Sequence, residues 1–552
     1  MKVKFFSVFL LILGTSLMMT SYYIEHNLAE GMIVKSFQTT TSDGILIRSD
    51  IYIPKNIRRD SLIVFIHGFS GNRRYWKTMI VAFVHEGFIC LSLDLRGHGG
   101  SLGAMIDNIS MSYHEFEKDV IAAIKWVKDN VFLPKKIVLI GHSMGGGLVI
   151  YLGYKWSNVS IVIAIAPALF GNYLNKTSPK NLLLMAGGKD NIVGSDYVKD
   201  LFNKSAGVYP NETYYVIEKG SIVRGFYLNL NADHSSIVVD ENSIKETLSW
   251  VKKYLYSEDV KSFKYIGEEE SFAHLMARFS AVILVISIIP LLLPSFFSFN
   301  RFQSRNLSYK ELAKYVMRAF IYPGFFAIFL YAVIASFLVL IPPFPIANLA
   351  LSALIANSLL MPLIFRKKVK DTFKQALREI REIKYKEIAS AIIIYLAFIL
   401  PFHIIAFGFY PVSLISSEIR IAFIIIYTLI LLPFFMMDEI LFRGYVRDRL
   451  GDRVPNVLGS IITYSSVKGF SLAVIGTIGI FVYYGVLSKI ISGATLPLTY
   501  AWICLILPDI IYHFSKNYRI TAITNSLIVA MMLSQLSAAI ILSRSGFLSI
   551  LL

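Results

Sequence analysis

The chain has 552 residues, 55% of them apolar and only 16% charged, with 54 Lys and Arg against 37 Asp and Glu for a formal net charge of +17. Soluble domains carry roughly a quarter charged residues, so this composition excludes one water-soluble globular domain and puts part of the chain in lipid. Residues 24–275 hold 27 basic and 26 acidic residues, whereas residues 276–552 hold 25 and 11, so the basic excess belongs to loops between apolar runs. That placement implies no nucleic-acid surface. Cys90 and Cys504 lie in separate apolar runs and build neither a disulfide framework nor a cysteine metal site.

In chain order, Lys2 and Lys4 precede an apolar stretch over Phe5–Met19, followed by Thr20-Ser21-Tyr22-Tyr23, a poor cleavage site. Residues 1–23 therefore read as a retained signal anchor. Residues 24–265 read as a soluble domain. Met32–Thr40 and Gly44–Ile53 suggest a hairpin. Leu62–Ile66, Phe88–Leu93, Lys136–Ile140, Ser160–Ile165, Leu182–Ala186 and Thr213–Ile217 are short apolar or β-branched runs. Helical patterns such as His114–Asn130 and Ile244–Tyr256 lie between or after them. Alternating strand and helix predicts a mostly parallel sheet with helices on both faces.

Gly141-His142-Ser143-Met144-Gly145 follows the strand Lys136–Ile140 and opens a helical run. Gly-x-Ser-x-Gly in that context is a nucleophile elbow, a tight turn that lifts the Ser143 hydroxyl off the sheet. Asp190 lies just past Leu182–Ala186, and His234 lies in a loop after Thr213–Ile217. Nucleophile, acid and base in that order fit acyl transfer. Asp233 and Asp240 are alternative acids. His67, Asp94 and His98 read as loop-forming residues, and Cys90 as a buried strand residue.

These motifs resemble the α/β-hydrolase superfamily, in particular its serine aminopeptidase/lysophospholipase-like branch, over residues 32–256. The resemblance implies Ser143 as nucleophile, His234 as base and then acid, and Asp190 as the carboxylate that orients the imidazole. The backbone N–H groups of Phe69 and Met144 would form the oxyanion hole. No cofactor and no metal are implied. Many such enzymes insert a lid after the sixth strand, but here Pro167–Lys180 leaves little room, which predicts an open site. An ester, thioester or amide of a small molecule, lipid or peptide is the expected substrate.

After a linker at 266–278, residues 279–552 predict a polytopic all-α bundle. Apolar runs near 279–298, 317–341, 346–365, 388–409, 419–437, 456–488, 493–513 and 521–543 are long enough to span, with one or two crossings at 456–488. Basic loops, notably 366–387, which reads as an amphipathic helix, orient the bundle. They place the hydrolase domain outside the cytoplasm of a multi-pass membrane protein. Five Asn-x-Ser/Thr sequons, at Asn108, Asn158, Asn175, Asn203 and Asn211, agree with that side.

Asp438-Glu439-Ile440-Leu441-Phe442-Arg443 at a span end resembles the Glu-Glu-x-x-x-Arg motif of the CAAX-protease and bacteriocin-processing membrane family. Lys468 stands where that family's second motif needs histidine, and the segment at Asn525 also lacks one. The resemblance therefore implies a degenerate relative, with Glu439 and Arg443 as an internal ion pair. Asp509, His513 and His403 are candidates for a separate polar cluster. The main reading is a membrane-anchored serine hydrolase. The alternatives are an idle ectodomain of a transporter or immunity-type membrane protein, and protease activity in the C-terminal half.

Overall fold

A computed structural model describes residues 2–28, 30–69, 71–103, 105–106, 109–296, 351, 355, 358–359, 368–407, 418–442, 511–512, 515, 517–536 and 541–542. The chain divides into two compact units. One comprises Met19–Met276, Phe409–Ser417 and Ala538–Leu552, and the other Met1–Met18, Ala277–Gly408 and Glu418–Ser537.

In the first unit, the short β-branched runs become strands, and those at the centre of the sheet have side chains covered on both faces, as parallel sheets require. The strands are β1 (Met32–Thr40), β2 (Leu46–Pro54), β3 (Ser61–Ile66), β4 (Ile89–Leu93), β5 (Met105–Ile106), β6 (Lys136–His142), β7 (Val159–Ile165), β8 (Asn181–Gly187), β9 (Tyr214–Lys219) and β10 (Ile222–Asn229). All but β5 join one nine-stranded sheet in the order β1-β2-β4-β3-β6-β7-β8-β10-β9. The six strands β4, β3, β6, β7, β8 and β10 are parallel; β2 and β9 run antiparallel to them, and β1 pairs antiparallel with β2 at the edge. A second short pairing joins β5 to β11 (Ile541–Leu542).

The helices are α1 (Lys2–Leu28), α2 (Lys77–His85), α3 (Ile109–Asn130), α4 (Met144–Lys155), α5 (Ser195–Ala206), α6 (Glu241–Tyr256) and α7 (Gly267–Phe296). Two buried clusters, one on each sheet face, hold the layers together. One centres on Phe116, Leu148 and Phe202, the other on Phe83, Ile163 and Trp250.

The structure corrects the expected elements in three places. The strand leading to His234 is β10, not the run at 213–217; Arg224 and Gly225 interrupt its apolar pattern, and its burial comes from pairing with β8. The linker expected at 266–278 is helical, because α7 starts at Gly267. The amphipathic helix expected over 366–387 is α8 (Val369–Arg381), after which α9 begins at Tyr385.

In the second unit, α9 (Tyr385–Phe407), α10 (Glu418–Phe442), α11 (Tyr518–Leu536) and the C-terminal part of α7 coincide with four expected spans. The first half of α1 meets α7 there: Ser280 donates to the Gly14 carbonyl at 2.6 Å, and a Cβ on Gly14 would lie 2.9 Å from Leu284 Cγ. Asn517, Tyr518 and Arg519 tie the start of α11 to Glu379 of α8 and Glu387 of α9. Two helical stretches, Phe6–Leu28 and Ile424–Leu441, are long and apolar enough to cross a bilayer among the described residues. The runs near 317–341 and 456–488 lie outside those residues, as do nearly all of 346–365 and of 493–513.

Candidate active site

The site begins at the end of β6, the strand central to the sheet. Ser143 adopts a left-handed φ of 55°, between β6 and the first turn of α4. Such a turn needs room on both sides. A Cβ on Gly141 would lie 2.2 Å from the Gly145 carbonyl oxygen, and one on Gly145 would lie 2.3 Å from that of Ile66 in β3. The two glycines of the motif are therefore dictated by contact between the elbow and its neighbouring strand. The turn is pinned by Ser143 N–H to Ile165 O (3.0 Å), and Ser143 O accepts from Gly147 and Ala168. Ser143 stands at the N-cap of α4 without using its hydroxyl as a cap, which leaves Oγ available for chemistry.

Asp190, in the turn after β8, is buried and orients His234. Its Oδ2 accepts from His234 Nδ1 at 2.7 Å, while Oδ1 accepts from the N–H groups of Ile192 and Val193 at 2.8 Å each. The alternative acids are occupied elsewhere. Asp233 Oδ1 accepts from Ser235 N and Ser236 N, and those bonds hold its carboxyl below the usual range. Asp240 caps α6 through Ser243 N at 2.9 Å. The chain brings Asp190 to His234 across 44 residues because β8 and β10 are adjacent, and both residues follow the same edge of the sheet.

Phe69 sits in the loop after β3, and Met144 is the first residue of α4. Among the described residues neither backbone N–H is bonded to a protein acceptor. The loop can lie close to the elbow because residue 68 is glycine: a Cβ there would lie 3.0 Å from Ser143 Cβ. His67 accepts from Leu95 N through Nε2 at 3.1 Å, and burial lowers its pKa. Asp94 receives Arg73 N–H, the Arg73 guanidinium and Gly100 N. Both shape loops, as the sequence suggests. The His98 ring packs against those of His67 and Phe69, and Cys90 is buried in β4. The connection from β7 to β8 contains no helix, so no cap covers the serine from that side.

One residue of the site is not singled out by the motif. His142 lies inside Gly-x-Ser-x-Gly, with Nε2 2.7 Å from the carbonyl oxygen of His234. A carbonyl only accepts, so Nε2 carries the hydrogen and Nδ1 is bare. Burial, with a smaller contribution from His234, pushes the His142 pKa down to about 3. The ring is therefore neutral through the physiological range and braces the loop of His234 from below. Its partner is a main-chain group 92 residues away, so no sequence signal marks it.

Of the membrane motif, Asp438 and Glu439 are buried on α10, and Ser358 donates to Asp438 Oδ2 at 3.0 Å. Asn525 is buried on α11. Arg443, Lys468, Asp509 and His513 lie outside the described residues, and with them the expected Glu439–Arg443 pair. Glu25, Glu270 and His274 bring potential metal-ligating atoms within 4.8 Å of one another. The ammonium of Lys77 already bonds Glu25 and lies 3.8 Å from Glu270, so the protein supplies a cation there itself.

The parallel sheet, the elbow and the acid–histidine pair define the class: the chain carries an α/β-hydrolase segment. The family model described as serine aminopeptidase, S33 matches residues 58–193. The chain is 29% identical over 128 residues to a monoacylglycerol lipase of Mycolicibacterium smegmatis, covering 23% of this chain and 44% of that one. It is 30% identical over 127 residues to a bifunctional esterase/perhydrolase of Acinetobacter calcoaceticus, covering 23% and 42%. It thus spans less than half the length of either relative. Among solved structures, the Pyrococcus furiosus esterase Pf2001 aligns with a TM-score of 0.34 and 21% identity, over 42% of this chain and 95% of that one.

Proposed function

We propose that the protein is a membrane-held serine hydrolase that cleaves an acyl ester, thioester or amide through an acyl-enzyme on Ser143. The observation that carries this reading is the 2.7 Å bond from His234 Nδ1 to Asp190 Oδ2, beside a serine held at φ 55°. A serine hydroxyl is a weak nucleophile until a base takes its proton, and imidazole titrates near neutrality. With Nδ1–H given to Asp190, the bare Nε2 is the base. Ser143 Oγ attacks the carbonyl carbon, its proton passes to His234, and the imidazolium then protonates the leaving group. Water hydrolyses the acyl-enzyme by the reverse sequence. Asp190 holds the tautomer and stabilises the imidazolium.

The oxyanion would be met by the N–H groups of Phe69 and Met144. A donor of this kind is worth about 10²–10³ in rate. The N-terminal end of α4 adds a favourable dipole at the same point. Membrane attachment is supported by the apolar helices α1 and α10, and the side of the hydrolase domain by the basic loops of the second half.

The test is fluorophosphonate labelling of detergent-solubilised full-length protein, wild type beside Ser143→Ala and His234→Ala. Labelling lost in both variants is expected. A folded wild type that takes no label would remove the hydrolase reading. Protease added to intact cells is expected to reach residues 24–275; protection of that region would overturn the sidedness.

A further inference from the structure

We infer that the catalytic edge of the sheet is the edge turned toward the bilayer, so that Ser143 acts on long-chain acyl esters carried in the adjacent leaflet. The inference rests on the membrane-held hydrolase reading and names its substrate class.

The argument is one of helix direction within the hydrolase unit. Parallel strands run toward the catalytic edge, and α2 runs back from it: Lys77 follows the oxyanion loop, and His85 precedes the turn into β4. The last turns of α1 follow α2 in register. Glu25 bonds Lys77, Leu28 packs on Val81, and a Cβ on Gly31 would lie 3.6 Å from His85. The last turns of α1 therefore descend from the catalytic edge, and Met19–Ile24 continue past it at about 1.5 Å per residue.

α7 rises along the same path in the opposite direction. Ile266 packs with Leu28 and Val81, Glu270 accepts from Thr78, and His274 Nε2 lies 2.9 Å from Glu25. One step further out, Ser21 donates to the Ala273 carbonyl. Within this unit the roots of both apolar helices thus point past the edge that carries Ser143, Asp190 and His234.

The roots of these helices adjoin the triad loop. Tyr265, just before α7, donates to the Val239 carbonyl at 2.9 Å. The Tyr75 ring, two residues before Lys77, lies 5.5 Å from that of His142, and its hydroxyl reaches Ser235 O at 3.4 Å. Apolar side chains stand exposed at both edges, Leu230 after β10 (60%) and Phe170 after β7 (39%) at this one and Leu133 before β6 (76%) at the other, so the orientation rests on the helices. Exposed sequon residues likewise stand at both edges: Asn158, next to the start of β7, and Asn175, whose carbonyl receives Arg224 at the start of β10, at the opposite one, and Asn211, just before β9, at this one.

An ester bond lies at the headgroup level of a leaflet, with its acyl chain below. A serine facing that level meets the carbonyl while the chain stays largely in lipid, and no cap intervenes after β7. In the reaction Ser143 Oγ forms the acyl ester, the alkoxide leaves with the proton from His234, and water releases the fatty acid.

The test uses full-length protein in phosphatidylcholine nanodiscs. The two edges are about 20 Å apart, from strands of six or seven residues at about 3.3 Å each, a separation that depth-dependent quenching resolves. Single fluorescent labels on Leu230→Cys and Phe170→Cys are compared with labels on Asn158→Cys and Leu133→Cys, using a headgroup nitroxide lipid. The first pair should be quenched several-fold more strongly; equal quenching, or the reverse, would overturn the orientation. That measurement holds whether or not the serine reacts.

In a second arm, release of fatty acid from a nanodisc-borne ester is expected from wild type and not from Ser143→Ala. If the protein takes the fluorophosphonate label and cleaves a soluble short-chain ester but leaves the bilayer ester intact, the substrate class is wrong and the hydrolase reading stands. Absence of the label would remove both.

Discussion

The hydrolase region and the helices of the second half differ in the surface they leave exposed. In the hydrolase region aliphatic side chains fill both faces of the sheet, and buried charges close on one another: Arg73 on Asp50 and Asp94, Arg96 on Asp119. On α10 the aliphatic side chains Ile421, Ile425 and Leu429 are exposed, while Asp438 and Glu439 are buried. On α11 Thr521, Thr524, Asn525 and Ser526 are buried too. A water-soluble fold hides apolar area to gain roughly 25 cal/mol per Å². A fold in lipid gains nothing that way and turns its polar groups inward instead. The exposed aliphatic face of α10 is what the proposed membrane attachment requires.

The largest effect that would sharpen this comparison lies in the hydrolase region. Ser143→Ala or His234→Ala should lower turnover of an acyl ester by at least about 10³-fold, because triad members act as a unit. Asp190→Asn should fall by about 10²–10⁴ through the wrong tautomer. Steady-state kinetics on a soluble ester reads both, and near wild-type rates in Asp190→Asn would mean another group orients His234.

The elbow comes next. Gly145→Ala places a Cβ 2.3 Å from the Ile66 carbonyl oxygen, where overpacking costs about 1–3 kcal/mol or more. The hydrolase region should melt several degrees lower by near-ultraviolet circular dichroism; an unchanged melting temperature would show that the elbow has room.

His142 gives a smaller and pH-dependent effect. Its folded pKa is depressed to about 3 from an ordinary value of 6.5, so the unfolded chain binds the extra proton between those values. Stability is then full above pH of about 6.5 and falls as pH drops toward about 3. His142→Gln, which keeps a donor for the His234 carbonyl and cannot titrate, should flatten that acid slope and retain activity. His142→Ala should lose about tenfold in kcat, the value of one hydrogen bond. Equal loss in both variants would deny the brace.

The smallest effect is expected in the second half. Asp438→Asn combined with Glu439→Gln should leave fluorophosphonate labelling of Ser143 unchanged. A loss of labelling in folded protein would show that the two halves share a function, and the contrast would have to be redrawn.

Most of the sheet was legible because its strands are short apolar runs and its turns carry chemistry that admits few residues. The elbow was legible for the same reason, since contact with β3 forbids any side chain at Gly145. β10 was not, because Arg224 and Gly225 break its pattern and only pairing with β8 makes it a strand. The roles of Asp233 and Asp240 were likewise open, since a carboxylate near a histidine in sequence need not face it in space.

By itself, then, the sequence determined that the chain is part soluble-like and part apolar, that an α/β sheet carries an elbow serine, and which residue types stand in order along it. These are local properties, set by hydrophobic period, turn sterics and composition. Only the tertiary structure decided that Asp190 is the partner of His234, that His142 braces the histidine loop, and that the roots of α1 and α7 pair through Ser21 and Glu25 beside α2. Each of those depends on groups tens to hundreds of residues apart, brought together by strand order and helix packing, and no local pattern encodes a distance of that kind.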